Sequence, residues 1–418
     1  MPTINEIKIE NYRGLQELHF EPARINVFIG RNNTGKSSVL EAIALAVSAL
    51  NGFKDSIGTD IIETIMERRL PDSTLNFAKY FVNIHSNKSH ILLKINRDLL
   101  KLRLEFFESG YPKSEVGDDF LRYLEELSSE IEFTFRSPIL NELRRLTRKA
   151  KELPEKPLNE LLGKFKEVVD SKREKFVSEI IKSQKIFFVA SLNDEIVSEV
   201  VYLPEEAIEL LPPEAVDEML PFTESGFIRF TIHGYNAERV PILFGVSKVG
   251  ELVDIKKLYS ALIRKNKLSK ALDVLEINID DFDDLRELDD ELVCIFQNID
   301  GPIPLSFMGD GFIGLVRMTF ISTLVENGVV MLEEPETSMH PGYLSVTAEQ
   351  IAENENIQFF ISTHSIELIN YLLKQEILDE MKFIRMYRYA DGEIGYEVLS
   401  GNEAKYELET IKADLRGT

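Results

Sequence analysis

The chain has 418 residues, 44% hydrophobic and 28% charged, with a formal net charge of −23. This is a soluble globular composition, long enough for two or three domains, and its totals supply no basic face for nonspecific nucleic-acid binding. The single cysteine, Cys294, excludes an internal disulfide framework and reads as a small buried hydrophobe.

From the N-terminus, Ile4 to Ile9 alternates like a strand, Asn11-Tyr12-Arg13-Gly14 is a turn, and Leu15 to Phe20 predicts a second strand. Arg24 to Ile29 predicts a short buried strand that runs into a glycine-bounded loop, and a helix begins at Lys36. Further strands fall within 80–108, around Ile91 to Ile95 and Leu102 to Phe107. Residues 116–184 read as helical and heavily charged, a lid or a short arm, punctuated by Pro154 and Pro157. The basic run Arg144, Arg145, Arg148, Lys149 and Lys151 lies there and reads as a solvated helix face. Residues 185–250 mix short strands with acidic, proline-containing segments that carry no assignable role. Leu252 to Leu275 predicts one amphipathic helix, followed by a strand-like LEINI run. Asp280 to Asp290 is an acidic cluster without the glycine and spacing of a calcium loop, and reads as a solvated loop. No apolar run is long enough to cross a bilayer, and the N-terminus lacks the layout of a signal peptide, so a cytoplasmic protein is expected.

Four clusters carry chemistry. Gly30-Arg31-Asn32-Asn33-Thr34-Gly35-Lys36-Ser37 fits GxxxxGK[ST] between a predicted strand and a predicted helix. The glycines let the backbone wrap so that successive N–H groups face phosphates, and the helix start adds its positive dipole end. Lys36 is expected to pair with the β and γ phosphates, Ser37 to ligate Mg²⁺, and Asn32, Asn33, Thr34 and Ser38 to lie around the same nucleotide. About 300 residues on, the apolar run Val329 to Leu332 delivers Glu333 and Glu334 to a strand end. There Glu333 would belong to the Mg²⁺ shell and Glu334 would take a proton from an attacking water. A third strand, Phe359 to Ile361, ends in Ser362-Thr363-His364-Ser365, where His364 could hydrogen-bond a γ-phosphate. The fourth cluster, Leu305-Ser306-Phe307-Met308-Gly309-Asp310-Gly311, opens a helix and forms a second anion-friendly start at Ser306, Gly309 and Gly311. A second anion site in one chain needs a second phosphate group, or a phosphate presented by another copy.

The order of these clusters resembles the ABC-type ATPases of the SMC, RecF and OLD group. Gly30 to Ser37 matches their Walker A loop, Ser306 to Gly311 their signature loop in its LSxxGxG form, and Val329 to Glu334 their Walker B strand. Glu334-Pro335-Glu336-Thr337-Ser338-Met339-His340-Pro341 is similar to the D-loop region of OLD-like members, and Ser362 to Ser365 to their switch-histidine loop. Arg13, in the first hairpin, resembles an arginine that approaches the nucleotide. The resemblance covers roughly the first 50 residues and the last 120. It implies an α/β fold of the P-loop ABC-type head, a mixed central sheet flanked by helices, with a helical insertion. It also implies ATP and Mg²⁺ as ligands and a head-to-head homodimer in which Ser306, Gly309 and Gly311 serve the partner's nucleotide. The chain departs from the pattern in three ways. Glu333 stands where many relatives have Asp. No clear Q-loop glutamine follows the first helix, with Asn83 and His85 the only candidates. About 54 residues follow His364, too few for the Toprim nuclease domain of OLD proteins.

The expected organisation is one ATPase lobe over 1–115, the helical insertion over 116–184, and a second lobe over 185–418. Four functions compete. The chain could be an ATPase of DNA maintenance or repair. It could be a defence ATPase that holds or releases a separate nuclease or toxin. It could be a nucleotide-gated scaffold with slow turnover, or, least favoured, a transporter ATPase subunit. No membrane contact is expected.

Overall fold

A computed structural model describes residues 3–69, 80–113, 117–122, 124, 177–178, 180–204, 227–233, 240–246, 252–411 and 415. Two large sheets enclose a single helix. The first sheet is antiparallel and contains β1 (Ile4–Tyr12), β2 (Leu15–Phe20), β4 (Lys88–Ile95), β5 (Asp98–Phe107), β6 (Lys185–Leu192), β7 (Glu195–Pro204) and β8 (Phe227–His233). Their order is β2-β1-β4-β5-β6-β7-β8. The second contains β3 (Ile25–Gly30), β9 (Ile242–Val246), β13 (Gly328–Glu333), β14 (Ile357–Ser362), β15 (Met381–Arg388) and β16 (Ile394–Ser400), in the order β16-β15-β3-β14-β13-β9. All its pairings are parallel except β15 with β16. A small third sheet holds β10 (Phe282–Leu288), β11 (Glu291–Phe296) and β12 (Ile303–Pro304).

The helix α1 (Lys36–Ala49) lies between the two large sheets and is buried on all sides, which explains its nearly uninterrupted apolar sequence VLEAIALAV. One face of the second sheet, with Phe28, Met331 and Phe360, packs on α1 and on the first sheet. The alternate residues Val27, Ile29, Val330, Leu332, Phe359 and Ile361 face the opposite way, into a second core. That core is closed by α3 (Leu252–Arg264), α4 (Leu268–Asn278), α5 (Asp310–Leu324), α6 (Pro341–Glu353) and α7 (Ile366–Leu373). Two further helices, α2 (Ile61–Arg69) and α8 (Gly401–Tyr406), complete the set named here. The result is a P-loop ABC-type α/β fold, with the central mixed sheet covered by helices as expected.

Polar side chains fasten the layers. Gln358, fully buried in β14, accepts from the Ile4 N–H at 2.9 Å and donates to the carbonyls of Ile4 at 3.0 Å and Ala23 at 2.9 Å. It thereby ties the edge of β1 to the strand that leads to His364. Arg24 donates to the carbonyls of Ile351, Ala352 and Asn354 at the end of α6 and pairs with Glu380. Last-turn carbonyls that would lack intrahelical partners are satisfied this way.

The structure departs from the sequence reading in several places. Leu252 to Leu275 is two helices, not one. Asn266 takes φ 55°, and the N–H groups of Asn266 and Lys267 return to Ile263 and Leu262 at 3.0 and 2.9 Å, a Schellman stop. The LEINI run continues α4 instead of forming a strand. Asp280 to Asp290 is not a loop: Phe282 and Leu285 both turn inward in β10 because the strand bulges between Phe282 and Asp284, and Asp289-Asp290, both at positive φ, make the two-residue turn into β11. Strands β6, β7 and β8 pair with the first sheet, so the boundary expected at 185 falls inside that sheet. The insertion expected over 116–184, and its basic run, fall for the most part outside the described residues. Cys294 is buried in β11, and burial pushes its thiol up to about 12. No helix among the described residues is long and apolar enough to cross a membrane.

Candidate nucleotide site

Three adjacent parallel strands, β3, β14 and β13, end at the same edge of the second sheet, and the three expected motifs leave from those ends. This is the edge at which open α/β sheets bind ligands. The loop after β3 turns through Gly30 at φ 142°, Asn33 at φ 62° and Gly35 at φ 91°. A Cβ at Gly30 would lie 2.1 Å from the Met386 carbonyl, so no larger residue fits there. Thr34 is buried and its hydroxyl donates to the Arg31 carbonyl at 2.8 Å, closing the loop. Asn32 and Asn33 are exposed, while Ser38 is half-buried in the first turn of α1. That turn has no side-chain cap, its N-cap being Gly35. By contrast α6, α7 and α8 are capped by His340, Ser365 and Ser400.

Lys36 curls back on the loop, donating to the carbonyls of Gly30 and Arg31, both at 2.9 Å. Burial pushes its ammonium down to about 8, against the fields of Glu334, Glu333 and Glu336, which favour the charged form. The Ser37 hydroxyl donates to Oε1 of Glu333, so the loop and the end of β13 meet directly. Glu334 follows at φ 45°, a left-handed conformation that costs about 1–3 kcal/mol in a residue with a Cβ. Its N–H bonds the Ser362 carbonyl at 2.8 Å. Its carboxylate Oε1 lies 3.4 Å from His364 Nε2, and both side chains are partly exposed.

A buried charge network backs this group. Arg13, at φ 53° in the first hairpin turn, is ion-paired with Glu41 of α1. Burial opposes its charge, but the Glu41 ion pair together with the fields of Tyr12 and Glu333 outweighs that, so the guanidinium is held above its usual range. Arg68, on α2, places Nη2 2.6 Å from Glu333 Oε2 and Nη1 3.6 Å from Glu41 Oε1. Glu336 occupies a separate position. Its Oε1 accepts from the Thr363 hydroxyl at 2.6 Å and from the N–H groups of His364 at 2.9 Å and Ser365 at 3.1 Å. Burial pushes this carboxyl up from its usual range.

Ser306, Gly309 and Gly311 stand apart. They surround the start of α5, where Ser306 and Gly309 are exposed and Gly309 is an N-cap without a side-chain bond. Among the described residues no hydrogen bond joins them to the loop, Glu333 or His364. Phe307, beside Ser306, is 81% exposed. The start of α5 packs on the segment after Glu336. A Cβ at Gly311 would lie 2.8 Å from the Ser338 carbonyl, and one at Gly314 would lie 2.9 Å from Met339 Cε.

Sequence reasoning missed Arg68 and Glu41, and met Glu336 only as the second acid of the D-loop resemblance. A lone carboxylate inside the apolar run of α1 was a signal for Glu41, and the doubled acid around Pro335 was one for Glu336. Nothing in the sequence marked Arg68. Asn83, weighed as a Q-loop residue, donates instead to the Arg13 carbonyl at 2.9 Å and accepts from the N–H of His85, so it buttresses the hairpin turn.

Two family models match: "AAA ATPase domain" over residues 3–210 and "AAA domain, putative AbiEii toxin, Type IV TA system" over residues 244–370. The uncharacterized protein MJECL11 of Methanocaldococcus jannaschii is 31% identical over 114 residues, which are 26% of this chain and 100% of the relative. The DNA replication and repair protein RecF of Coxiella burnetii is 28% identical over 99 residues, covering 23% of this chain and 25% of RecF. Among solved structures, an SmcHead bound to the C-winged helix domain of ScpA aligns over 96% of this chain and 100% of that one, at 10% identity and a TM-score of 0.47. The two models between them span the phosphate loop and the strand ends bearing Glu333 and His364, so this chain belongs with the ATPase-domain proteins that those models describe, and RecF is among the proteins it resembles in part.

Proposed function

We propose that the chain hydrolyses ATP with Mg²⁺ and that two copies close head to head around the nucleotide. One observation carries this reading. Lys36, the Ser37–Glu333 bond and the Glu334–His364 pair converge at the ends of three neighbouring strands, over an uncapped helix start. The loop N–H groups and the first turn of α1 would bind the triphosphate, with Lys36 on its outer phosphates. One hydroxyl and one carboxylate suit Mg²⁺, which usually takes one or two carboxylates plus substrate phosphates instead of an all-protein cage. Consistent with that, no cluster of three or more His, Cys, Asp or Glu ligands occurs among the described residues. Ser37 and Glu333 would hold the ion, which when bound neutralises charge on the phosphate oxygens. Glu334 would accept the proton of the attacking water, and His364, within reach of Glu334, would bond the γ-phosphate.

Ser306, Gly309 and Gly311 support the dimer. Their exposed, uncapped helix start and the exposed Phe307 beside them lie away from the chain's own loop and suit a nucleotide held by a second copy. ATP turnover measured against protein concentration, with wild type and Ser306→Arg in parallel, tests this. Specific activity should rise with concentration and collapse in the variant. Activity that is independent of concentration and survives the substitution would refute the shared site.

RecF similarity supports a role in DNA maintenance, in a cytoplasmic protein that clamps DNA as the dimer closes. A second reading rests on the similarity of residues 244–370 to the AAA domain of the putative AbiEii toxin, Type IV TA system family. In it, the ATPase gates a separate nuclease or toxin. An ATP-dependent bandshift with duplex DNA at low salt separates the two. Absence of binding there would leave the second.

A further inference from the structure

The network behind the site holds a residue that neither motif nor relative assigns. Glu333 uses its two oxygens differently: Oε1 accepts from Ser37, and Oε2, buried and without a hydrogen bond, is ion-paired with Arg68 Nη2 at 2.6 Å. Arg68 is therefore not wedged between Ser37 and Glu333, where a metal would lie, but stands behind the carboxylate. Its other end reaches Glu41, whose side chain is fully buried on α1, the helix that begins at Lys36 and Ser37. Arg13 closes the far side of Glu41. Two carboxylates and two guanidiniums thus alternate, Arg13, Glu41, Arg68, Glu333, with no net charge. Arg68 Nη1 is buried without a hydrogen bond, held by its ion pair alone. A carboxylate that ligates a metal by one oxygen needs its other oxygen fixed, or it rotates and the ion loses a ligand. A guanidinium, with donors in a rigid fork, can pin that oxygen to a second anchor in a way an ammonium cannot.

We infer that Arg68 is a positioning residue for the metal: it pins Glu333 to the phosphate-loop helix through Glu41, so that Oε1 stays turned toward Ser37. This rests on the ATP-site reading above. It places the coupling between α2 and the metal on one side chain, and it assigns Glu41 the part of an anchor, not a ligand.

The test uses Mn²⁺ with AMPPNP on the full chain. Electron paramagnetic resonance reads the Mn²⁺ affinity, and AMPPNP binding in EDTA reads the nucleotide alone. Arg68→Gln should weaken Mn²⁺ by about 10–100-fold, the usual cost of losing such an outer contact, and leave metal-free AMPPNP binding within about twofold. Arg68→Lys should recover only part of the loss. Glu41→Gln should lose less than Arg68→Gln, because Arg68 still contacts Glu333 but lacks its anchor. The double variant Glu41→Gln with Arg68→Gln keeps the four-residue network at no net charge, with Arg13 and Glu333 as its remaining charges. It should fold as the wild type does and still bind Mn²⁺ weakly. Unchanged Mn²⁺ affinity in Arg68→Gln overturns the inference. So does tighter binding, which would make the guanidinium a competitor of the ion instead of a support. If the wild type binds no Mn²⁺–AMPPNP, or Lys36→Ala binds it equally well, the ATP-site reading falls and takes this inference with it.

Discussion

Glu336 offers the sharpest separation between charge and hydrogen bonding in this site. Its Oε1 gathers the Thr363 hydroxyl and two N–H groups, while its Oε2 is buried without a hydrogen bond. Glu336→Ala strips three donors of their acceptor, and at about 1 kcal/mol net for each bond the fold should lose about 3 kcal/mol. Glu336→Gln keeps a carbonyl oxygen for the same donors and removes the charge. Burial holds the Glu336 carboxyl above its usual range, so ionisation is harder in the fold than in the unfolded chain. The stability it contributes is fully present below the ordinary carboxylate pKa and is lost as pH rises through the raised one. Glu336→Gln should therefore match the wild type near pH 4 and exceed it in stability by pH 7. Urea unfolding at several pH values, followed by far-ultraviolet circular dichroism, reads both variants. Equal destabilisation of the two, or a gap that does not change with pH, would refute the reasoning. Turnover should fall at least about tenfold in Glu336→Ala, whose His364 loop has lost its clamp, and should largely persist in Glu336→Gln.

Lys36 gives a second pH signature. Burial lowers its pKa to about 8, so the free protein begins to shed that proton near pH 8, whereas bound phosphates favour the ammonium. AMPPNP affinity should fall as pH rises through about 8, and binding at pH 8–9 should take up a proton, which calorimetry in buffers of different ionisation enthalpy detects; zero uptake would contradict it. Glu334→Gln should lower turnover by at least about 100-fold, in the range of a lost general base. The same variant should accumulate ATP-bound dimers in light scattering, and unchanged turnover would remove Glu334 from that role.

The part of the fold that surrounds the nucleotide was legible because its signals are local. A glycine-bounded loop between strand and helix, and two apolar runs ending in polar residues, each declare themselves within about ten residues. Sheet membership did not, because β6 to β8 join β5 across the long segment before residue 185, and strand pairing at that range leaves no mark on a single sequence. The acidic strand β10 was hidden by its composition and by a bulge between Phe282 and Asp284, which sets the buried Phe282 and Leu285 three residues apart and breaks the period of two. At the site, the motif residues were readable, but their supports were not. Arg68 lies on a helix whose sequence, IIETIMERR, is ordinary, and it matters only because the fold brings it against Glu333, 265 positions away.

The two glycines at the start of α5 have a consequence for counting. Gly311 and Gly314 leave no space between that helix and Ser338-Met339, and the same short segment begins at Glu336, which grips the loop bearing His364. In the proposed dimer, the surface offered to the second copy and the acids proposed to serve the chain's own nucleotide would therefore be one close-packed block. In a symmetric pair, the loss of one γ-phosphate would be felt at the other before anything diffuses away. The pair would fire as a unit, and its binding curve would show one steep event in place of two separate ones.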